Sequence, residues 1–298
     1  DYLINDQIHI EKIEFKDLET IYFKNHLNKA KDASSSKKES KLLSSIKIDK
    51  LNIENASAIV YDGTKDSILV SLKNTTISIK DIVLDESSKS NLIPFNYKTI
   101  NIAADSIFYK TSNYENINLN HLLFEDQTLT LHGFHYKNKY SKKEYESLLT
   151  IQRDYYDVTA EKLIINELAL GKENDSVVFK TNLISIDKAN AAIYRDKFEK
   201  KEDLRIKKLY SKVIRELPLK LTVDSVSVKN SSIEYSEKLL REYQAGLLTI
   251  KIIDAGITNV SNTYPSPERT VIIVDGIFMK NTPFTANWSF DINNNDDQ

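Results

Sequence analysis

The sequence predicts a mainly β protein in which an elongated, twisted antiparallel sheet carries one inserted amphipathic helix. Three observations lead to this fold class. Apolar and polar residues alternate with a period of two, the apolar positions are rich in β-branched residues, and the 298 residues include only 6 glycines and 5 prolines. A period of two is typical of strands with one buried face, and long strands joined by polar connections need few special turn residues.

Strands are predicted wherever this alternation continues. They cover residues 7–15, 46–61, 66–84 in two parts, 97–110, 127–137, 157–170, 176–194, 218–235, 246–260, 269–279 and 283–292. In several of them the alternation shifts by one residue, as between Ile48 and Leu51. Such a shift indicates a β-bulge, which bends a strand and increases the twist of its sheet.

A weak internal repeat accompanies the alternation. Residues 48–61 and 223–235 match with a one-residue gap, since each has an Asp, three alternating aliphatic residues, an Asn and a closing Tyr. We interpret one strand with its connection as the repeating unit. Each unit would then bury its apolar face against its neighbours, as in other repeat proteins.

A polar segment sets the predicted domain boundaries. Residues 25–45 are rich in Ser and Lys, which is typical of a linker or loop. We therefore predict a leading strand segment at 1–24, this linker at 25–45 and a repeating β-groove domain at 46–298.

The predicted helix is an insertion at about 196–217. Leu209, Val213 and Leu217 recur at helical spacing, and Pro218 follows them. Between residues 195 and 215 there are nine Lys or Arg and four Asp or Glu. This basic helix has three interpretations, namely a solvated face, a contact for anionic lipid head groups, or a protein-docking element. The residues that would make such a contact are Arg205, Lys207, Lys208, Lys212 and Arg215.

Composition argues against several classes of function. The chain has no cysteine, and it contains no glycine-rich phosphate-binding motif and no nucleophile-elbow motif. Its formal net charge of −2 gives no bulk positive field for nucleic acid. His132 and His135 are three residues apart on a predicted strand, where strict alternation would place them on opposite faces. We therefore predict a non-enzymatic protein with no metal, no cofactor and no nucleic-acid partner.

Four ordered stretches resemble a known family. They are residues 48–61; residues 192–197 with 215–219 and 223–235; residues 245–260; and residues 276–279 with 283–286 and 290–291. In this order they are similar to the AsmA-like envelope proteins of Gram-negative bacteria, the superfamily that includes the TamB-like repeating β-groove proteins. The resemblance covers about residues 46–292 and brings no catalytic residue with it.

The resemblance implies a periplasmic module, anchored to the inner membrane in a longer parent protein. Its groove would hold or transfer phospholipid acyl chains between the inner and outer membranes and so support outer-membrane biogenesis. The expected lining residues are Ile46, Ile48, Leu51, Ile53, Ile77, Ile79, Val226, Val228, Ile250 and Ile252. Two alternatives remain, a closed sandwich core at these positions and a scaffold subunit that docks on envelope assembly or secretion proteins.

Overall fold

The computed structural model describes residues 2–4, 7–24, 45–63, 66–198, 201, 208–240, 244–263, 266 and 268–294. Within them lie fifteen strands and two helices, α1 (Lys142–Leu148) and α2 (Tyr210–Arg215). The strands are β1 (Tyr2–Ile4), β2 (Gln7–Lys16), β3 (Glu19–Phe23), β4 (Ser45–Tyr61), β5 (Ile68–Asp85), β6 (Thr99–Lys110), β7 (Glu115–Glu125), β8 (Thr128–Asn138), β9 (Asp154–Asn166), β10 (Ala169–Glu173), β11 (Ser176–Asp196), β12 (Lys220–Lys238), β13 (Gly246–Ser261), β14 (Thr270–Phe278) and β15 (Thr282–Phe290). The predicted mainly β class, with a twisted and mostly antiparallel sheet, is confirmed.

The chain divides into two compact units. Unit 1 comprises Asp1–Lys110 with His121–Asp126, and unit 2 comprises Thr111–Asn120 with Gln127–Gln298. In unit 1 the strand order is β1-β2-β4-β5-β6, and β3 also pairs with β4. In unit 2 the order is β8-β9-β11-β12-β13-β14-β15, and β10 pairs with β11.

The sequence repeat coincides with a repeated pairing pattern. Its two copies fall on β4 and β12, and each of these strands pairs in parallel with an earlier strand and antiparallel with the next. The matching residues Asn55 and Asn230 both have a positive φ, of 53° and 52°. Each donates a side-chain hydrogen bond to an Asp, Asn55 at 2.5 Å to Asp17, which follows β2, and Asn230 at 2.9 Å to Asp187 on β11. The repeat therefore encodes one bulge geometry twice, because asparagine tolerates the left-handed conformation.

The predicted strands correspond closely to observed ones, with three differences. Residues 68–85 form the single strand β5 rather than two parts, and 157–170 is divided into β9 and β10. The strands β1, β3 and β7 were not predicted. Of the predicted linker at 25–45, only Ser45 lies within the described residues, and it begins β4.

The predicted helix at 196–217 is wrong in extent. Asp196 still belongs to β11 and pairs with Lys238, whereas α2 begins only at Tyr210. The ladder that β11 makes with both neighbours prevails over the helical periodicity at this end. A second helix, α1, was missed, although Ser141 and Glu144 form a complete capping box at its start. That S-x-x-E spacing is a recognisable signal for a helix N-terminus.

The core is thin. Among the described residues, the buried hydrophobic side chains are Ile79, Ile82, Ala104, Leu119, Tyr145, Ala160, Leu168, Val223, Ala255 and Ile292. Most apolar strand residues are instead half-buried. This exposure is expected of a sheet face that is not fully covered by a second layer.

Candidate functional site

Unit 2 carries one surface on which apolar residues form continuous rows across seven strands. Directly paired residues of neighbouring strands point to the same side of a sheet, so the register defines these rows. The first row is Leu129, Ile165, Ile184, Val226, Ile257, Ile272 and Trp288. The second is Leu131, Leu163, Ile186, Val228, Ala255, Val274 and Ala286. We call this surface the apolar face of unit 2.

The next position along the strands is polar and points to the opposite side. Its row is His132, Lys162, Asp187, Lys229, Asp254, Asp275 and Thr285. Four of these residues alternate in charge across β9, β11, β12 and β13. Opposite charges directly across a ladder stabilise it, whereas a lipid chain gains nothing from contact with them. The two sides of the sheet therefore differ sharply in chemistry.

A line of bulges crosses this sheet and shifts the alternation on every strand that it meets. Gly133, Lys188 and Asn230 have positive φ values of 63°, 51° and 52°. On β13 the register shifts between Ile252 and Asp254. On β9, β12 and β13 two consecutive residues at this line are exposed, namely Glu161–Lys162, Lys229–Asn230 and Ile253–Asp254. This pattern keeps the apolar residues on one side despite the extra residue.

Two further rows extend the apolar face beyond the bulges. One contains Phe134, Ala160, Ala189, Ser231, Ile252, Gly276 and Phe284. Ser231 is the polar exception in this row, and its hydroxyl accepts a hydrogen bond from the Ala189 amide at 3.0 Å. The next contains Tyr136, Val158, Ala191, Ile233, Ile250 and Phe278. With a strand spacing of about 4.8 Å, seven strands span roughly 29 Å.

Unit 1 has an apolar face of the same type. Its paired rows are Ile8, Ile46 and Leu84; Ile10, Ile48 and Ile82; Ile13, Leu51, Ile79 and Ile100; and Phe15, Ile53, Ile77 and Ile102. The shift predicted between Ile48 and Leu51 coincides with Asp81 on β5, which has a φ of 53°. On the other side of this sheet His9 hydrogen-bonds Asp49 at 2.8 Å, and that bond lowers the pKa of the Asp49 carboxyl.

The structure places all ten predicted lining residues on these faces. Six lie in the rows of unit 1, namely Ile46, Ile48, Leu51, Ile53, Ile77 and Ile79. Four lie in the rows of unit 2, namely Val226, Val228, Ile250 and Ile252. The sequence reasoning left out the equivalent residues of β9 and β11, Leu163, Ile165, Ile184 and Ile186. Their period of two is visible in the sequence and would have identified them.

The basic helix residues are spread over several environments. Arg205 and Lys207 lie outside the described residues. Lys208 precedes α2 and donates a hydrogen bond to Glu216, and Arg215 donates to the carbonyl oxygen of Asn294 at 3.0 Å. Lys212 is half-buried within α2. Two of the five predicted cations therefore stabilise the fold locally.

Aromatic residues form a cluster at one end of unit 2. Tyr145 on α1 is 1% exposed, and its ring centroid is 5.4 Å from that of Tyr114 and 5.7 Å from that of Tyr155. Burial, followed by the neighbouring Asp154 carboxylate, raises the pKa of Tyr156 to about 12. Burial, followed by a hydrogen bond to Glu237, raises the pKa of Tyr235 to about 12. These phenols stay protonated at neutral pH and present a polar tip on an apolar body.

His132 and His135 lie on either side of a bulge in β8. Gly133 lies between His132 and His135 with a left-handed φ, so strict alternation does not hold there. The His135 imidazole lies 2.7 Å from Asp157. Across the described residues, no group of three or more potential ligands is placed to hold a metal ion.

No protein-family model and no curated protein matches the chain. In the part of the chain that the structure describes, neither helix has the length and apolar character needed to span a membrane.

Proposed function

We propose that this chain is a non-enzymatic periplasmic module of an AsmA-like protein. It holds phospholipid acyl chains on its apolar faces, or passes them along, between the inner and outer membranes. The family and the compartment in this proposal rest on the resemblance in the sequence. The observation that carries it is the set of continuous apolar rows across seven strands of unit 2.

Physical chemistry supports an acyl chain as the occupant. The apolar face offers wide aliphatic surface, with a serine as the exception within its rows. Covering a lipid chain gains about 0.8 kcal/mol per buried CH₂ group, so a chain of about sixteen carbons gains on the order of 10 kcal/mol. Such binding needs no precise polar site, because the hydrophobic effect is non-directional and scales with area.

The test is whether phospholipid copurifies with the protein and depends on the apolar face. Ile186 and Val228 pair across β11 and β12 on that face, and Ser185 and Ser227 pair beside them on the polar side. We expect stoichiometric phospholipid in solvent extracts of the wild-type protein by mass spectrometry. The double variant I186E/V228E should lose most of it, whereas S185E/S227E should retain it.

Two results would contradict the proposal. One is a folded wild-type protein without bound phospholipid after expression in a bacterial periplasm. The other is equal retention of lipid by both double variants. Circular dichroism and thermal unfolding of each variant separate a loss of lipid binding from a loss of fold.

A scaffold role is the second candidate, and the edge of unit 2 favours it. Among the described strands β15 pairs with β14 alone, which leaves the backbone groups of its outer side without a strand partner. Such an edge can accept a strand from another protein. If the same envelope protein copurifies with this chain in every preparation, and the chain carries no lipid, the result would favour this role over lipid binding.

A further inference from the structure

One end of unit 2 combines exposed leucines with lysines that form no ion pair with the carboxylates of the described residues. At this end β11 and β12 finish, β9 and β13 begin, and the pairs Asp154–Arg195, Asp196–Lys238 and Glu237–Gly246 align the strand ends. We call it the hairpin end. It includes the residues on both sides of the β12–β13 turn and the segment that follows α1.

The exposed leucines of the hairpin end lie at strand ends, since Leu239 and Leu240 follow β12 and Leu247 is the second residue of β13. Leu239, Leu240 and Leu247 are between 55% and 60% exposed, and they line an open cavity of about 470 Å³ beside Tyr235. Leu148, Ile151 and Met279 are also exposed. Three leucines of one hairpin in water carry a free-energy cost that contact with an apolar phase would remove.

Lysines lie along the same end of the sheet as these leucines. Lys139, Lys142, Lys143, Lys201, Lys238 and Lys280 lie in the same connections or at their borders. None of them forms an ion pair with a carboxylate of the residues that the structure describes. The ammonium groups of Lys142 and Lys139 instead lie 4.9 Å and 4.7 Å from the ring centroids of Tyr194 and Tyr140. Lysine and tyrosine beside exposed leucine are the residue types found where proteins meet a lipid head-group layer.

The opposite end of unit 2 provides an internal comparison. It also exposes apolar residues, including Leu170 and Leu209. Three of its lysines are engaged in ion pairs, Lys172 with Asp175, Lys208 with Glu216 and Lys220 with Glu173. Lys180 and Lys212 form none with a carboxylate of the described residues. The hairpin end therefore has more lysines that lack an ion pair with the described carboxylates.

From this arrangement we propose that the hairpin end docks on an anionic lipid bilayer, with Leu239, Leu240 and Leu247 inserted among the head groups. The lysines then lie at the level of the phosphates. A bilayer is favoured over a protein because the leucines lie at strand ends, where they can enter a fluid layer, and because the lysines are spread along the same end of the sheet. This docking stands apart from acyl-chain binding, since either can occur without the other.

Vesicle flotation of the full chain tests the leucines. The probe is a vesicle of phosphatidylethanolamine with anionic phosphatidylglycerol, and vesicles of phosphatidylcholine alone serve as the uncharged comparison. We expect the wild-type protein to float with the anionic vesicles, and substitution of the three leucines to weaken binding at least ~tenfold, which corresponds to about 1.4 kcal/mol. The variants are L239Q/L240Q/L247Q and, as the matched control at the other end, L170Q/V177T/L209Q.

Neutralising the lysines tests the electrostatic part without touching the leucines. The triple variant K139Q/K143Q/K238Q should bind anionic vesicles at least ~tenfold more weakly, since each lysine near such a surface contributes about 1 kcal/mol. The control K162Q/K229Q, on the polar side of the sheet, should bind as the wild type does.

The proposal is overturned if the wild-type protein stays at the bottom of the gradient with anionic vesicles. It is also overturned if the leucine variant floats unchanged, or if the two ends are equally sensitive. The lipid content of the same purified variants separates the two proposals: L239Q/L240Q/L247Q should keep its copurified phospholipid while losing the vesicles.

Discussion

Replacing Gly276 with alanine is expected to disturb the centre of the apolar face of unit 2. An ideal Cβ at Gly276 would lie 2.6 Å from the carbonyl oxygen of Lys251 and 2.8 Å from Cε1 of Phe284. Real Cβ atoms essentially never approach another heavy atom closer than 3.0 Å. Phe284 on β15 pairs directly with Gly276, so its ring lies over the glycine and fills the space of the missing side chain.

The size of the effect follows from which atoms must move. The Phe284 ring can turn away, but the Lys251 oxygen belongs to the backbone of β13 and cannot move without disturbing the β13–β14 ladder. Overpacking of this kind costs about 1–3 kcal/mol. Gly256 on β13 is the matched control, because a Cβ there would meet nothing within 4 Å. Alanine at Gly256 should stabilise the strand by roughly 0.5–1 kcal/mol.

Urea unfolding followed by far-ultraviolet circular dichroism measures both variants. We expect a lower midpoint for G276A and an unchanged or higher midpoint for G256A, with similar slopes. The reasoning is refuted if G276A unfolds at the wild-type midpoint. It is equally refuted if G256A loses as much stability as G276A, since the close contact would then not be the cause.

Three further outcomes follow from the packing and charges. I82A should lower the free energy of unfolding by about 2–5 kcal/mol, because Ile82 is 2% exposed. In the same urea assay, I273A should change this free energy by less than about 0.5 kcal/mol, because Ile273 is 45% exposed. D154N should cost about 1–3 kcal/mol, because Asp154 accepts two hydrogen bonds from Arg195 at 2.6 and 2.7 Å; an unchanged thermal midpoint would contradict this. The pKa of Tyr156 is raised from 10.0 to about 12, so its contribution to stability is complete below pH 10.0 and is lost as the pH rises towards about 12. Urea midpoints measured across this range should fall, and Y156F should fall less steeply.

The sheet could be predicted largely because its signals are local. Ile46, Ile48, Leu51 and Ile53 reveal both the period of two and the one-residue shift, and the structure pairs them with Leu84, Ile82, Ile79 and Ile77. The same alternation makes the apolar faces visible in the sequence. A one-residue error would have exchanged the two sides of the sheet, so the shift was essential to the prediction.

The parts that could not be predicted depend on distant partners. Nothing local at Asp196 shows that β11 continues there, because its pairing with Lys238 joins residues far apart in the sequence. The parallel pairing of β11 with β12 and of β2 with β4 is likewise a matter of topology. The helix α1 differs in this respect, since the capping box of Ser141 and Glu144 was present in the sequence and was overlooked.

The central claim is that acyl chains contact the apolar face and not the polar side. The chain has no cysteine, so single cysteines can be labelled cleanly at Val228 on the apolar face and at Lys229 beside it on the polar side. An environment-sensitive fluorophore on V228C should be strongly quenched by phospholipid that carries a nitroxide on its acyl chain, and the same fluorophore on K229C should not. Equal quenching at both positions, or none at V228C, would contradict the account.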